Sequence, residues 1–198
     1  AGIDFTILEQ TDKVGYTWHN HYDRLHLHTV KQFSNLPHLA FPASYPLYVP
    51  KQKVAEYLET YAAHFKINPI FNSEVTSVSK IDDRWLVKTK NNDEYSAKRV
   101  IIGTGMNRLM NIPRFKGQDD FRGTVLHSRK YKNAEPFRGQ RVLVVGMGNT
   151  GAELALDLSE NAAETYISVR SAVSIVPRDR NGRPIQVISK KLAKLPFN

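Results

Sequence analysis

Hydrophobic and polar positions along the chain switch repeatedly between the period of a strand and the period of a helix, and the switches predict its elements. Residues 2–9 read as a strand ending in Glu9. Residues 10–50 show little periodicity and are rich in His, Tyr and Pro; so long an irregular stretch is unusual in a compact domain unless it lines a site. Over residues 51–66, Val54, Tyr57, Leu58, Tyr61, Ala62 and Phe65 recur at i, i+3, i+4 and i+7, which predicts an amphipathic helix with that stripe in the core. Short strands are expected near 74–79, 84–89 around Trp85, and 94–97, with a turn at Asn91, Asn92 and Asp93. A further strand, Arg99 to Ile102, runs into Gly103-Thr104-Gly105, and a Pro-containing connector follows near 110–118. The last pattern is an apolar run, Val142 to Val145, then a helical period, then a strand from Thr165 to Ser171.

Chemistry enters where that apolar run meets glycine. Val145 is followed at once by Gly146-x-Gly148-x-x-Gly151, with Asn149 and Thr150 between the last two glycines, and the helical pattern starts there. Strand, glycine turn and helix in this order are what a dinucleotide site requires. The first glycine permits the tight turn, the second lets a pyrophosphate approach the backbone, and the third lets helix and strand pack closely. The anion then sits on the helix N-terminus. The next strand ends in Arg170 and Ser171, with no acid where an NAD site would place one to take the ribose 2′-hydroxyl. A guanidinium holds a 2′-phosphate by charge-assisted, bidentate bonds, so the pattern points to NADP(H). The bland alternative is that Arg170 is a solvated strand-end base.

Composition narrows the class. The length suits one large or two small domains, and 41% hydrophobic residues allow a packed core. No apolar run approaches the roughly 20 residues of a membrane span, and no signal segment is visible. The absence of cysteine excludes disulfides, thiol nucleophiles, Cys-ligated zinc and a redox Cys pair, and no other metal site is expected. It also fits a cytoplasmic protein. A net charge of +9 raises the question of nucleic acid. However, the basic tail from Arg170 onward carries only Phe197 as an aromatic and no groove-fitting motif, so an anionic cofactor explains it more simply.

Glu9 then gains meaning. An acid at a strand end is where the second strand of a Rossmann unit binds a ribose, although a solvated strand-end Glu is an equally good reading of that residue alone. The later Gly103-Thr104-Gly105, just ahead of a second dinucleotide unit, is the layout of two-nucleotide flavoproteins. The expected fold is therefore α/β, with two Rossmann-like, doubly wound nucleotide-binding units and a small β-meander. The FAD domain is expected to be incomplete at residues 1–112, with a partial NADPH-binding domain at 113–198.

The motif Phe121-x-Gly123-x-x-x-His127-x-x-x-Tyr131 resembles the FxGxxxHxxx(Y/F) signature of the flavin-containing monooxygenases, and it precedes the glycine turn as in that family. Tyr22 to His28, Phe41 to Pro50 and Val144 to Glu153 are most similar to the plant YUCCA-type branch and its bacterial relatives. The resemblance covers essentially the whole chain. It implies FAD and NADPH as cofactors. It also implies transfer of one oxygen atom from O2, through a C4a-hydroperoxyflavin, to a small soft nucleophile or an aromatic 2-oxo acid.

By the same resemblance Glu9 would bind the FAD ribose, Trp18 would flank the flavin, and Val75 would meet the adenine through its backbone. Thr104 and Gly105 would close over the FAD phosphates, and Arg170 with Ser171 would grip the NADP 2′-phosphate. His127 and Tyr131 are expected to tie the linker together as hydrogen-bonded residues. His28 occupies the position before Lys31 where many animal-type members carry an Asn near the flavin. It is the one catalytic candidate, as a neutral imidazole donating a hydrogen bond, with a structural histidine as the alternative. The expected partners are a small-molecule substrate and O2, with neither nucleic acid nor membrane.

The FAD glycine loop is expected upstream and the C-terminal part downstream, so the chain reads as the middle of such an enzyme, with weak FAD retention by itself. Two other functions remain: a flavoprotein NADPH reductase without oxygenation, and a non-catalytic NADP-binding or interaction module.

Overall fold

The computed structural model describes residues 2–105 and 109–192. By packing, the chain divides into two compact units, one drawn from Ala1–Asn20 and Val54–Phe121, the other from His21–Lys53 and Arg122–Asn198. Each packing unit thus draws on two separate segments of the chain. The irregular stretch after residue 20 groups with the C-terminal half, and Tyr22, Leu25, Val30, Phe41 and Val49 in it are all buried.

In the first unit, helix α1 (Tyr16–His19) is a single turn. Helix α2 (Lys51–His64) starts at the junction and buries Val54, Ala55, Tyr57 and Ala62. It stops two residues before the periodicity does. Lys66 takes a left-handed conformation (φ 54°), so its N–H bonds to the Ala63 carbonyl and that of Ile67 to the Ala62 carbonyl. These paired bonds satisfy the last carbonyls and turn the chain out of the helix. Strands β1 (Val75–Ile81), β2 (Arg84–Thr89) and β3 (Glu94–Ala97) form an antiparallel meander close to the expected spans, with Val87 and Thr89 buried beneath it.

Two expected strands are not formed. Of residues 2–9, only Leu8 makes a bridge, parallel to Ile70, held by Ile70 N–H to the Ile7 carbonyl (2.8 Å) and Glu9 N–H to the Ile70 carbonyl (2.9 Å). Ile3 and Phe5 are exposed, as are Ile101 and Ile102 in the other expected strand, 99–102. A strand exists only through its ladder, and neither segment has a ladder among the described residues.

The second unit is built on strand β4 (Arg141–Val145), helix α3 (Asn149–Asn161) and strand β5 (Glu164–Ser168). β4 and β5 pair in parallel from Arg141 opposite Glu164 to Val145 opposite Ser168, and α3 crosses between them with Leu154, Ala155 and Leu158 buried. This is the βαβ unit that the apolar run predicts. Residues 25–27 run against 49–51, with Leu27 N–H on the Val49 carbonyl and Lys51 N–H on the Leu25 carbonyl. Lys51 is buried, its ammonium bonded to the His21 carbonyl (2.7 Å) and to Asp23 Oδ1 (2.9 Å).

A hairpin of two-residue strands, β6 (Asp179–Arg180) and β7 (Arg183–Pro184), turns on Asn181 and Gly182, both left-handed. It leads into helix α4 (Ile185–Leu192). No helix among the described residues is long and apolar enough to cross a membrane.

Candidate functional site

The glycine turn after β4 has the shape the spacing requires. Gly146 takes φ 97°, and its N–H bonds the Ser168 carbonyl at the end of β5 (2.9 Å), which fixes the turn to the neighbouring strand. Gly151 lies so close that a β-carbon there would stand 2.1 Å from the Gly146 carbonyl oxygen. By contrast, a β-carbon on Gly146 or Gly148 would meet nothing within 4 Å. One glycine therefore serves packing, and the other two present bare backbone to an open face.

Gly148 is the N-cap of α3, no side chain caps the helix, and its first turn, with Asn149 and Thr150, contains no acid. The unpaired N–H groups and the positive end of the helix dipole thus face that opening, a fit for a pyrophosphate. Arg170 and Ser171 lie two and three residues past the end of β5 and are exposed. Because Ser168 pairs with Val145 and receives the Gly146 bond, they sit at the same end of the parallel pair as the glycine turn. A guanidinium and a hydroxyl there suit a 2′-phosphate.

The candidates for the other nucleotide lie in the first unit. Glu9 is half-buried, and its Oε1 accepts from the Thr11 N–H (2.8 Å) and the Thr11 hydroxyl (2.7 Å). These bonds orient the carboxylate and leave it acceptor capacity for a ribose diol. Ser73 N–H bonds the Glu9 carbonyl, so the approach to Val75, the first residue of β1, is tied to Glu9. The β1–β2 register slips between Val75 and Ser77. Trp18 is half-buried on α1. Thr104 and Gly105 (φ 73°) are exposed, and no hydrogen bond among the described residues joins them to Glu9. Glu9 and the start of β1 are thus brought together, and Thr104 and Gly105 are not joined to them.

His28 belongs to the second unit and is half-buried. Its carbonyl accepts from Gln186 Nε2 (3.3 Å), while Val30 N–H donates to Gln186 Oε1 (3.0 Å), so one side chain of α4 clamps the backbone on both sides of residue 29. Burial pushes the His28 imidazole below its ordinary value; Glu153 opposes that, and His26 and Arg178 add to it.

Around His28 lies a cluster that periodicity and motif spacing did not reveal. Glu153, one turn into α3, is mostly buried, 3.9 Å from His26 Nε2 and 3.8 Å from Arg24 Nε, and its Oε2 has no hydrogen bond. Arg24 is bonded to Glu160 (2.5 Å). The Tyr22 phenol is pushed up to about 12 by burial and then by Glu153. The available signal is Glu153 itself, a charge two residues after the packing glycine and next to the buried Leu154 and Ala155.

The Phe121–Tyr131 motif is structural in its second half. His127 Nδ1 accepts from Arg129 N–H and caps the short 3-10 turn Ser128–Lys130. Tyr131 is buried, lies against Phe137 with ring centroids 5.8 Å apart, and donates its hydroxyl to Asp157 Oδ2 on α3 (2.5 Å). Burial, and then Asp157, push its phenol well above the ordinary range.

The profile of a family described as flavin-binding monooxygenase-like matches residues 5–195. The probable indole-3-pyruvate monooxygenase YUCCA7 of Arabidopsis thaliana is 41% identical over 204 residues, an alignment covering 97% of this chain and 47% of that protein. The structure of a flavin-containing monooxygenase from Stenotrophomonas maltophilia superposes with a TM-score of 0.86 at 28% identity, covering 96% of this chain and 57% of the other. An oxidized steroid monooxygenase bound to NADP gives 0.74 at 26% identity, over 89% of this chain and 36% of the other. The chain spans about half the length of the curated relatives it matches. Its α/β architecture is that of their Rossmann-type nucleotide units, present in part, with the β-meander.

Proposed function

The chain belongs to the flavin-binding monooxygenase-like family, and on that premise we propose that it supplies the NADP(H) site and part of the FAD site of a monooxygenase that inserts one atom of O2 into a small organic substrate. The observation that carries this reading is the coincidence, at one end of the β4–β5 pair, of a bare-glycine helix N-terminus with Arg170 and Ser171. When bound, the flavin supplies the oxygen chemistry and NADPH the hydride.

The protein's residues bind and orient. Gly146 and Gly148 admit the NADP(H) pyrophosphate, the N–H groups of Asn149, Thr150 and Gly151 receive it, and Arg170 with Ser171 hold the 2′-phosphate. Glu9 takes the FAD ribose, Thr104 and Gly105 the FAD phosphates, Val75 the adenine through its backbone, and Trp18 flanks the flavin. His28, kept neutral by burial, donates a hydrogen bond toward the cofactors. On this reading the unit of 21–53 and 122–198 is the NADP(H) unit, and the other contributes to the FAD unit. The named relatives suggest an aromatic 2-oxo acid such as indole-3-pyruvate as substrate.

The test is anaerobic NADPH addition to the full-length protein, followed by 18O2 with an aromatic 2-oxo acid. Bleaching of the flavin and incorporation of one labelled oxygen atom per NADPH are expected. Bleaching without incorporation would leave a reductase, and NADP binding by a colourless protein would leave a non-catalytic module.

A further inference from the structure

His26 stands outside every role assigned above, yet its ring is constrained at both nitrogens. Nδ1 lies 3.1 Å from the Arg24 carbonyl oxygen, which can only accept, so Nδ1 carries the proton. Nε2 lies 3.0 Å from Arg178 Nη1, which can only donate, so Nε2 is bare. Both contacts demand one and the same state, neutral with the proton on Nδ1. An imidazolium would keep the first bond and lose the second.

Arg178 is held by more than this. Its guanidinium lies 4.2 Å from the centroid of the Tyr48 ring and 3.5 Å from Asp179 Oδ2, and Tyr48 donates to Asp179 Oδ1 (2.8 Å). Residues 24–28 and 48 thus hold the start of the β6–β7 hairpin, while Gln186 holds its far side. Residues 169–178 span from the end of β5 to this anchor without regular structure, and they carry Arg170 and Ser171. One end of that segment is fixed by the sheet and the other by Arg178.

We propose that His26 is a positioning residue: neutral and protonated on Nδ1, it holds Arg178 and thereby keeps the 169–178 segment placed so that Arg170 and Ser171 take a 2′-phosphate. The proposal rests on the NADP(H) reading above. The charged and titratable groups around the His26 ring set its direction. Glu153 of α3 offers Oε1 at 3.9 Å, Arg24 and His28 flank it on its own segment (His28 with ring centroids 5.4 Å apart), Tyr48 stands edge-on at 6.5 Å, and Arg178 and Asp179 come from the hairpin. A proton on Nε2 meets a donor in Arg178 and an acceptor in Glu153, so protonation moves the bond from the hairpin to α3 and releases Arg178.

Two measurements on the 198-residue chain test this. In 15N-edited spectra of the imidazoles near pH 8, His26 is expected as the Nδ1–H tautomer; finding it as Nε2–H would overturn the proposal. NADP+ and NAD+ affinities are then measured from pH 8 to 5.5 for the wild type and for His26→Gln, whose amide oxygen offers an acceptor near the place of Nε2 but does not titrate. The nucleotide's own 2′-phosphate titrates identically in both proteins and cancels from the difference between the two profiles. The wild type is expected to lose about three- to tenfold more of its NADP+ preference on acidification than His26→Gln, the worth of one hydrogen bond. Superimposable profiles would overturn the proposal.

Arg178→Ala, as a second variant, is expected to show the weakened preference already at pH 8, and a wild-type preference there would also refute it. If neither nucleotide binds at any pH, the dinucleotide reading itself fails and the link to a 2′-phosphate with it. The tautomer measurement would still decide the contact between His26 and Arg178.

Discussion

A β-carbon on Gly151 would stand 2.1 Å from the carbonyl oxygen of Gly146 and 3.0 Å from its carbonyl carbon. Both atoms are backbone, and the Gly146 turn is fixed to β5 through Ser168, so neither side can yield by a rotamer change. Gly151→Ala is therefore expected to lever α3 away from β4. The expected loss is at least that of ordinary overpacking, about 1–3 kcal/mol, read as a lower denaturant midpoint, together with weaker NADP+ binding by calorimetry. Gly148→Ala meets open space and is expected to spare stability while obstructing the dinucleotide. A variant at Gly151 with wild-type stability would show that helix and strand are not in this close contact in solution.

Arg170 is the proposed holder of the 2′-phosphate, so its removal tests the choice between the two nicotinamide nucleotides. Losing a charge-assisted bond to a phosphate costs about 1.5–3 kcal/mol, so Arg170→Ala is expected to weaken NADP+ by roughly ten- to a hundredfold and NAD+ hardly at all. Titration of both nucleotides into both proteins gives the comparison directly. Equal weakening of the two would remove the 2′-phosphate from this side chain.

Tyr131 places a buried phenol on the Asp157 carboxylate of α3. Tyr131→Phe keeps the stacking on Phe137 and removes only that bond, so it is expected to lower stability by about 1.5–3 kcal/mol, the range for a hydrogen bond to a charged group. Nucleotide affinity is expected to be unchanged. A large loss of NADP+ binding with stability intact would instead point to a direct role of the motif in the site.

Acid should weaken the fold before it reaches the carboxylates. His21 is pushed down by burial, then by Lys51, Lys132 and Arg129, and His28 by burial foremost. Their folded-state values lie below the ordinary histidine value of about 6.5, so the unfolded chain takes these protons first. Stability is then complete above that value and declines as pH falls below it. Asp23 is held down by its bonds from Asn133 and Lys51 and contributes only in the carboxylate range, so urea midpoints between pH 8 and 5 report the histidines. The slope is expected to flatten in the double variant His21→Gln, His28→Gln. An unchanged slope would assign the acid sensitivity elsewhere.

What could be read from the residues was local. Val142 to Gly151 specifies strand, turn and helix within ten neighbouring positions, and the meander around Trp85 announces itself by alternation and turn residues. The segments at 2–9 and 99–102 failed as strands because a ladder is a property of two segments, and composition describes one. Asn181 and Gly182 were a legible hairpin signal, yet the two flanking strands hold only Asp179, Arg180, Arg183 and Pro184, with no apolar alternation to draw attention. The polar cluster of Arg24, His26, Glu153 and Arg178 joins three segments far apart in sequence, and no spacing rule connects them. Likewise the grouping of residues 21–53 with the C-terminal half, where Gln186 bonds the backbone at Val30, joins segments separated by the whole stretch 54–121.

That interleaving has a consequence for how the chain is made. A ribosome adding about 5–20 residues per second releases residues 21–53 well before residues 122–192 exist to cover them. For roughly ten seconds, Tyr22, Leu25, Val30, Phe41 and Val49, all buried in the folded chain, lack the C-terminal part of their own unit. The nascent chain therefore exposes these apolar residues until residues 122–192 follow. Its yield in cells should respond to chaperone supply and to the pace of translation between residues 54 and 121 more than to the final stability of either unit.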